Sequence, residues 1–456
     1  MESKIFKAYD IRGIYPIELN EETARLIAQT FLKILSQQLN KPIKDLKISI
    51  CRDARQSSEP LMNVVRETFL EYGVAVDDFN LISINDFYFS VGYYKYDGGI
   101  MATASHNPSE YGGFKMVMLN PEDKASIEFI SGQELYVELT KLNFPLNDQK
   151  VEGKLQKKDL KKDYLKNLLS SADIKKIKPL KVVVDTGNGM MGLLIPELFK
   201  NLPCELIHLF PELDSNFPNR PPNPLEPGAS NKLAQKVLEE KADLGVIFDV
   251  DGDRMFLVDE KGNFLRGDMV LLLLAKSMLH LHPGAGIAYN LICSHAVKDL
   301  VAKWGGRPIR SEVGYLNLAR HMREQGGVMS GEVSGHFAFK DNYYADSGFI
   351  ALLLALQAIS MDGRKLSEMI KDFTLYSRAD ELNIQVQDIN AELDKIKNKY
   401  RDNILDEIDG ITVEFPDWWF NVRPSNTEPL LRITVEANSA VEVKKHQQEI
   451  MDIINS

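Results

Sequence analysis

Cysteine is scarce. The 456-residue chain holds three, Cys51, Cys204 and Cys293. They are odd in number, far apart and in no CxxC pair, which argues against a disulfide framework or a thiolate zinc site and fits a reducing compartment. Each reads as a small buried hydrophobe. Long apolar runs are also missing. The two longest, 269–274 and 349–356, fall far short of the roughly 20 residues that span a bilayer, and read as buried core helices. The opening MESKIFKAYDIRG carries no apolar h-region, so no signal peptide is expected. The expected location is cytoplasmic, with no membrane partner. Positive charge is in deficit, with 54 Lys+Arg against 65 Asp+Glu and a formal net charge of -11. A nucleic-acid partner is therefore not expected, because it needs a cationic surface. A local cationic pocket for a small anion remains compatible. Neither a GxxxxGK[ST] phosphate loop nor a Gly-x-Ser-x-Gly nucleophile elbow occurs.

What is present is an ordinary globular mixture, 44% hydrophobic and 26% charged, which excludes disorder, collagen and coiled coil. At roughly 100–200 residues per domain the length suggests about three or four domains. Short β-rich runs alternate with helical patterns, the mark of α/β architecture. One pattern recurs three times: a strand, a polar or glycine loop, a helix, then a second strand ending in a chemically loaded loop. The strand pairs are 47–51 with 99–102, 181–184 with 244–248, and 287–291 with 327–329. Identity between the copies is low, so the repeat is one of pattern. Ligand groups in open α/β sheets sit beyond the carboxyl ends of strands. Three such domains could present three loaded loops to one cleft.

The Lys-rich stretch 152–178 reads as a linker helix opening the second domain, and another boundary falls near 361–364. Beyond it, 381–386, 411–415, 418–422 and 430–436 read as strands, with a final helix from about Ala440. That is an α+β tail with an antiparallel sheet.

Four loops carry chemistry. In Asp249-Val250-Asp251-Gly252-Asp253-Arg254, three carboxylates at alternate positions follow an apolar strand. Their oxygens can turn onto one point and suit a hard divalent cation, Mg²⁺ above all. Without a cation, anions this close raise one another's pKa. An EF-hand would need Gly where Arg254 stands and a helix before it. A dehalogenase-type phosphatase loop with Asp249 as nucleophile is a rival, as is a solvated acidic turn. In Thr103-Ala104-Ser105-His106-Asn107-Pro108, the alternatives are a helix-capping turn and a serine that carries a phosphoryl group near a helix N-terminus. Arg423-Pro424-Ser425-Asn426-Thr427 gathers a guanidinium, two hydroxyls and an amide. These suit a phosphate monoester, or form a plain polar turn. Glu332 and Ser334, between Gly331 and Gly335, could hold sugar hydroxyls, or form a bulged turn. Gly187-Asn188-Gly189-Met190-Met191-Gly192 matches the GxGxxG fingerprint. With no clear acidic strand end about 20 residues on, it reads better as a tight packing turn.

Taken together, these loops resemble the α-D-phosphohexomutases, which interconvert sugar 1- and 6-phosphates. The resemblance spans essentially the whole chain in the family's order. Lys7-Ala8-Tyr9-Asp10-Ile11-Arg12-Gly13 matches its opening motif, 103–108 its phosphoserine loop, 249–254 its metal loop, 331–336 its sugar loop and 423–427 its phosphate loop. The Gly-Glu-x-Ser-Gly-His form of the sugar loop is like that of phosphomannomutase/phosphoglucomutase members. Phosphoglucosamine mutases usually carry Gln where this chain has Val333.

The resemblance implies three similar α/β domains with mixed sheets plus a C-terminal α+β domain around a central cleft, expected at 1–148, 149–254, 255–366 and 367–456. It implies Ser105 as phosphoryl carrier, with one Mg²⁺ held by Asp249, Asp251, Asp253 and the Ser105 phosphate. Arg12, His106, Lys115 and Arg254 would line the reacting phosphate, with Lys115 or a neighbour handling the proton. Tyr9, Glu332, Ser334, His336, Arg423, Ser425, Asn426 and Thr427 would bind substrate. The implied partners are small hexose phosphates, with hexose 1,6-bisphosphate as intermediate and activator. Monomer and homodimer both remain open. Rotation of the last domain to close the cleft is a further expectation. Two departures stand out. Many relatives carry Lys where Ile292 aligns, and His where Val313-Gly314-Tyr315 has tyrosine. Alternative readings are the amino-sugar mutase, the phosphatase using Asp249, and a catalytically silent sugar-phosphate binder.

Overall fold

In the computed structural model, residues 3–141, 152–425 and 430–454 are described. The chain forms two compact units. One comprises Met1–Arg266 with Ser334–Leu366, the other Gly267–Val333 with Ser367–Ser456.

The first unit holds two mixed sheets. In the first sheet the order is Ile11–Ile14, Tyr111–Leu119, Gly98–Ala102, Lys47–Arg52, Ala75–Leu81, Lys154–Lys157, with Ile127–Ile130 added beside Tyr111–Leu119. Lys47–Arg52 is parallel to both Ala75–Leu81 and Gly98–Ala102, and Tyr111–Leu119 runs antiparallel to Gly98–Ala102. Helices Glu21–Gln38 and Ser58–Glu71 supply Ile27, Phe31, Leu61 and Phe69 to its core. In the second sheet the order is Phe264–Leu265, Met255–Asp259, Leu244–Phe248, Lys181–Asp185, Glu205–Leu209. Leu244–Phe248 is parallel to Lys181–Asp185 and antiparallel to Met255–Asp259, so the three aspartates occupy the loop of a hairpin.

This unit also holds the helix Gly348–Asp362, apolar on every side and buried from Gly348 to Ser360. Such a helix must sit in a core. Ser347 caps it by accepting from Ile350 N–H, and Gly363 ends it at φ +80, a conformation glycine takes without strain. Its buried polar groups are satisfied, since Gln357 Oε1 accepts from Asp173 N–H at 2.7 Å and Ser360 Oγ from Lys178 N–H at 2.9 Å. The Lys-rich stretch expected as one linker helix is instead an edge strand, Lys154–Lys157, then helix Lys161–Ser170. The strand residues alternate no apolar face; pairing with Ala75–Leu81 fixes them.

In the second unit, Gly286–Asn290 lies parallel between Arg307–Ser311 and Gly327–Gly331, flanked in sequence by helices Gly267–Leu281, His295–Lys303 and Tyr315–Glu324. The same unit carries an antiparallel sheet ordered Ser377–Arg378, Leu430–Ala437, Trp418–Pro424, Ile411–Glu414, Ile404–Asp406, with Leu382–Gln385 beside Leu430–Ala437. Helices Ile389–Lys399 and Ala440–Ile454 close its core. This is the α+β tail expected.

The threefold repeat is topological. Each strand pair read from the sequence is a parallel, hydrogen-bonded pair. In each case a third strand, unforeseen, pairs with the first member on its other side: Ala75–Leu81, Glu205–Leu209 and Arg307–Ser311. Among the described residues no helix is long and apolar enough to cross a membrane.

Candidate active site

Ser105 follows the strand Gly98–Ala102 and is buried at φ +51, a left-handed conformation uncommon for a non-glycine residue and frequent at functional turns. Three contacts hold it there. Its N–H donates to Thr103 Oγ1 at 3.0 Å, its carbonyl accepts from Arg55 at 2.6 Å, and its hydroxyl lies 3.1 Å from His106 Nδ1. The Arg55 guanidinium also donates to the carbonyls of Asn107 at 2.5 Å and Pro108 at 2.7 Å. One buried fork therefore shapes the whole loop.

Two other sequence-read residues of the first unit, Arg12 and Arg254, reach this turn. Arg12 donates to both oxygens of Asp10 and, at 2.5 Å, to Asn107 Oδ1. Arg254 lies 3.4 Å from His106 Nε2 and donates to His336 Nε2 at 3.3 Å, while His336 Nδ1 meets Ser334 Oγ at 2.9 Å. The backbones of Arg254 and His336 pair as well. Arginine can only donate, so His106 Nε2 accepts and a neutral ring carries its proton on Nδ1, facing Ser105. Burial first, then Arg254 and Arg12, holds His106 well below its ordinary pKa, which keeps it neutral. Tyr9 precedes the strand Ile11–Ile14 and is half-buried.

The aspartate loop is preorganised by its own backbone. Asp249 Oδ1 accepts from the N–H groups of Gly252 and Arg254, both at 3.1 Å. Lys115 Nζ donates to Asp251 at 2.9 Å and to Asp253 at 2.6 Å. Burial and repulsion from Asp251 and Asp253 raise the Asp249 carboxyl well above its ordinary value. Burial pushes Asp253 up too, but Lys115, His336 and Arg254 outweigh it and its pKa falls. Below the loop, Arg220 joins Asp185 Oδ1 at 2.8 Å to the Phe248 carbonyl. The GxGxxG stretch serves this loop. Met190 N–H donates to the Val250 carbonyl at 2.7 Å, and a Cβ on Gly189 would lie 2.3 Å from that oxygen. The strand before the aspartates excludes an EF-hand.

Among the described residues, each aspartate keeps one buried oxygen without a hydrogen-bond partner: Asp249 Oδ2, Asp251 Oδ1 and Asp253 Oδ1. Ligand atoms of His106, Asp249 and Asp251 lie within 4.8 Å of one another. Three unfilled carboxylate oxygens in a buried loop fit a hard divalent cation. His106 is the poorer ligand, because its Nδ1 carries the proton.

In the second unit, Glu332 is buried and accepts from Asn290 Nδ2 at 3.0 Å. The chain crosses between units within the loop 331–336, so Ser334 and His336 belong to the first. Arg423 donates to Glu381 at 2.8 Å, and its buried Nε has no hydrogen-bond partner among the described residues. Arg432 stands directly across the ladder from Arg423, is 3.4 Å from Ser425 Oγ, and its Nε likewise has no partner among the described residues. Two guanidiniums with open donors suit an anion. Asn426 and Thr427 lie outside the described residues. At the departures, buried Ile292 offers its carbonyl to Arg378, and Tyr315 opens the helix Tyr315–Glu324.

Asp10, Asn107, Arg55, Arg220 and Arg432 were given no role from the sequence. Asp10 and Asn107 nevertheless sit inside the quoted motifs 7–13 and 103–108, and Arg55 lies in the loop Arg52-Asp53-Ala54-Arg55 that follows the strand read at 47–51; Arg220 and Arg432 carried no signal.

Comparison with protein-family models matched all four phosphoglucomutase/phosphomannomutase domains. The alpha/beta/alpha domains I, II and III match residues 3–130, 162–262 and 266–376, and the C-terminal domain matches 381–453. A phosphomannomutase of Vibrio cholerae is 36% identical, covering 98% of this chain and 97% of its own. The chain belongs to the phosphoglucomutase/phosphomannomutase family. A second phosphomannomutase, from Methanocaldococcus jannaschii, is 35% identical over 99% of this chain and 97% of the relative. A crystal structure of a phosphoglucomutase/phosphomannomutase family protein from Burkholderia thailandensis is 31% identical, with a TM-score of 0.86 over 99% of this chain and 97% of that one. The phosphoglucomutases and phosphomannomutases are isomerases, and this chain is an enzyme of that kind. That membership displaces the phosphatase reading of Asp249.

Proposed function

We propose that the enzyme interconverts hexose 1-phosphate and hexose 6-phosphate, with mannose or glucose as the sugar, through a phosphoserine at Ser105 and a hexose 1,6-bisphosphate. The observation that carries this reading is the buried network in which Ser105, His106, Lys115 and the three aspartates with unfilled oxygens meet. Asp249, Asp251 and Asp253 would hold Mg²⁺, which supplies charge neutralisation for phosphoryl transfer when bound.

The phosphoryl group leaves Ser105 Oγ for the free hydroxyl of the sugar phosphate. One P–O bond breaks and one forms. His106 Nδ1–H donates a hydrogen bond to the departing Oγ. Lys115 gives that oxygen a proton and takes the one the sugar hydroxyl loses. Arg12 and Arg254 bind the transferring group. The bisphosphate turns over and returns its other phosphoryl group by the same steps reversed. Glu332, Ser334 and His336 hold sugar hydroxyls, and Tyr9 lines the sugar. Arg423, Ser425, Asn426 and Thr427 grip the phosphate not in transfer. Both sugar orientations need this same grip, because the distal phosphate is the feature they share.

A coupled assay with mannose, glucose and glucosamine phosphates, in the presence of glucose 1,6-bisphosphate, tests the assignment. Turnover of mannose or glucose phosphate well above that of glucosamine phosphate supports it. Preference for glucosamine phosphate would replace it with the amino-sugar reading.

A further inference from the structure

The loop 249–254 is gripped by a side chain that no sequence motif marks. Asn85 stands in the first turn of helix Ile84–Tyr94 and is wholly buried. Its Nδ2 donates to the carbonyl of Gly252 at 2.8 Å, and its Oδ1 accepts from the N–H of Gly348 at 3.0 Å. One amide thus ties the helix after the third strand to the tip of the aspartate loop and to the start of the buried helix Gly348–Asp362. Gly252 is walled in on its other sides. It holds φ +91, and a Cβ there would lie 2.3 Å from Met191 Sδ. A Cβ on Gly348 would lie 2.6 Å from the Gly252 carbonyl oxygen. The chain neighbours of Gly252 are Asp251 and Asp253, each with an unfilled oxygen.

We propose that Asn85 is a positioning residue for the metal loop. Its hydrogen bond to Gly252 fixes the backbone between Asp251 and Asp253 so that their carboxylates converge on one cation. This rests on the reading of the loop as a Mg²⁺ site. A buried carbonyl needs a donor, and Asn85 is the side chain that supplies it. Without it the peptide at residue 252 turns more freely, and the two carboxylates flanking it lose their shared geometry. Support of this outer kind is worth about 10–100-fold in metal affinity.

Calorimetric titration of the whole enzyme with Mg²⁺ alone, without sugar, tests the proposal. Asn85→Ala is expected to bind Mg²⁺ about 10-fold more weakly than the wild type, or weaker still. Asn85→Leu is close in volume and lacks the amide. Weaker binding there as well traces the effect to the lost hydrogen bonds rather than to a cavity. Circular dichroism and melting curves establish that each variant is folded. Affinity within twofold of wild type in either folded variant overturns the proposal. Failure of both to fold also overturns it, marking Asn85 as a structural residue. Asp251→Asn is run in parallel. If it binds like the wild type, or the wild type binds no Mg²⁺, the metal reading fails and the role of Asn85 falls with it. If Asp251→Asn loses binding while both Asn85 variants retain it, the positioning role alone fails.

Discussion

The ammonium of Lys115 lies 2.6 Å from a carboxylate oxygen of Asp253, and the same nitrogen donates to Asp251 at 2.9 Å. All three groups are buried. Removing one partner of a buried charge pair costs about 3–5 kcal/mol, because the other is left uncompensated. Lys115→Met should lower the melting temperature strongly in EDTA. Added Mg²⁺ should restore much of the loss, because a cation replaces the missing charge among the aspartates. Thermal melts with and without Mg²⁺ check this. Equal destabilisation in both conditions would count against the aspartates as a cation site.

Arg55 should matter to the chemistry although it sits beneath the loop. Its guanidinium reaches the carbonyls of Ser105, Asn107 and Pro108. Lysine keeps the charge but lacks the fork. Arg55→Lys is expected to lower kcat by about 10–100-fold with little change in KM, since misplacement of a reacting atom acts on the transition state. A normal kcat would show that Ser105 keeps its left-handed conformation without that fork.

Arg423→Lys should raise KM for the 1-phosphate and the 6-phosphate alike. The buried Nε of Arg423 is an open donor, and a hydrogen bond to a charged group contributes about 1.5–3 kcal/mol. That corresponds to roughly 10–100-fold. Steady-state kinetics in both directions measure it. A large effect on one isomer and none on the other would contradict a grip shared by both sugar orientations.

Asp86 carries a pH signature away from the chemistry. Burial raises its carboxyl from 3.8 to about 6, against the opposing hydrogen bonds from Ser83. The folded state therefore binds this proton more tightly than the unfolded chain. That stabilisation is present below pH 4 and is lost as pH rises through about 6. Asp86→Asn keeps an acceptor for Ser83 and carries no charge. Its gain in stability over wild type should be small at pH 4 and reach about 1–3 kcal/mol above pH 7. Urea unfolding across that range checks the sign. A gain larger at pH 4 than at pH 7 would refute it.

Much of this was legible in the sequence, for identifiable reasons. Leu244–Phe248 is an unbroken apolar run ending at Asp249, so both strand and loop announce themselves. The buried helices around 269–274 and 349–356 were equally plain. Ala75–Leu81, Glu205–Leu209 and Arg307–Ser311 were not, because AVDDFNL, ELIHL and RPIRS are polar in places and take their strand state from a neighbour. The site divides the same way. Ser105, the aspartates and Arg423 lie in compact motifs. Arg55, Arg220 and Asn85 act on backbone carbonyls about 28 to 167 residues away, and no local spacing encodes such a contact.

In the proposed reaction everything turns on Ser105 as the carrier of the phosphoryl group. Intact-mass spectrometry of the whole enzyme before and after incubation with glucose 1,6-bisphosphate, with peptide mapping, tests it most directly. One stable phosphate per chain is expected, on Ser105. Ser105→Ala should take up none and lose isomerase activity by about 1000-fold or more. A phosphate mapped to Asp249, or a fully active Ser105→Ala enzyme, would contradict it.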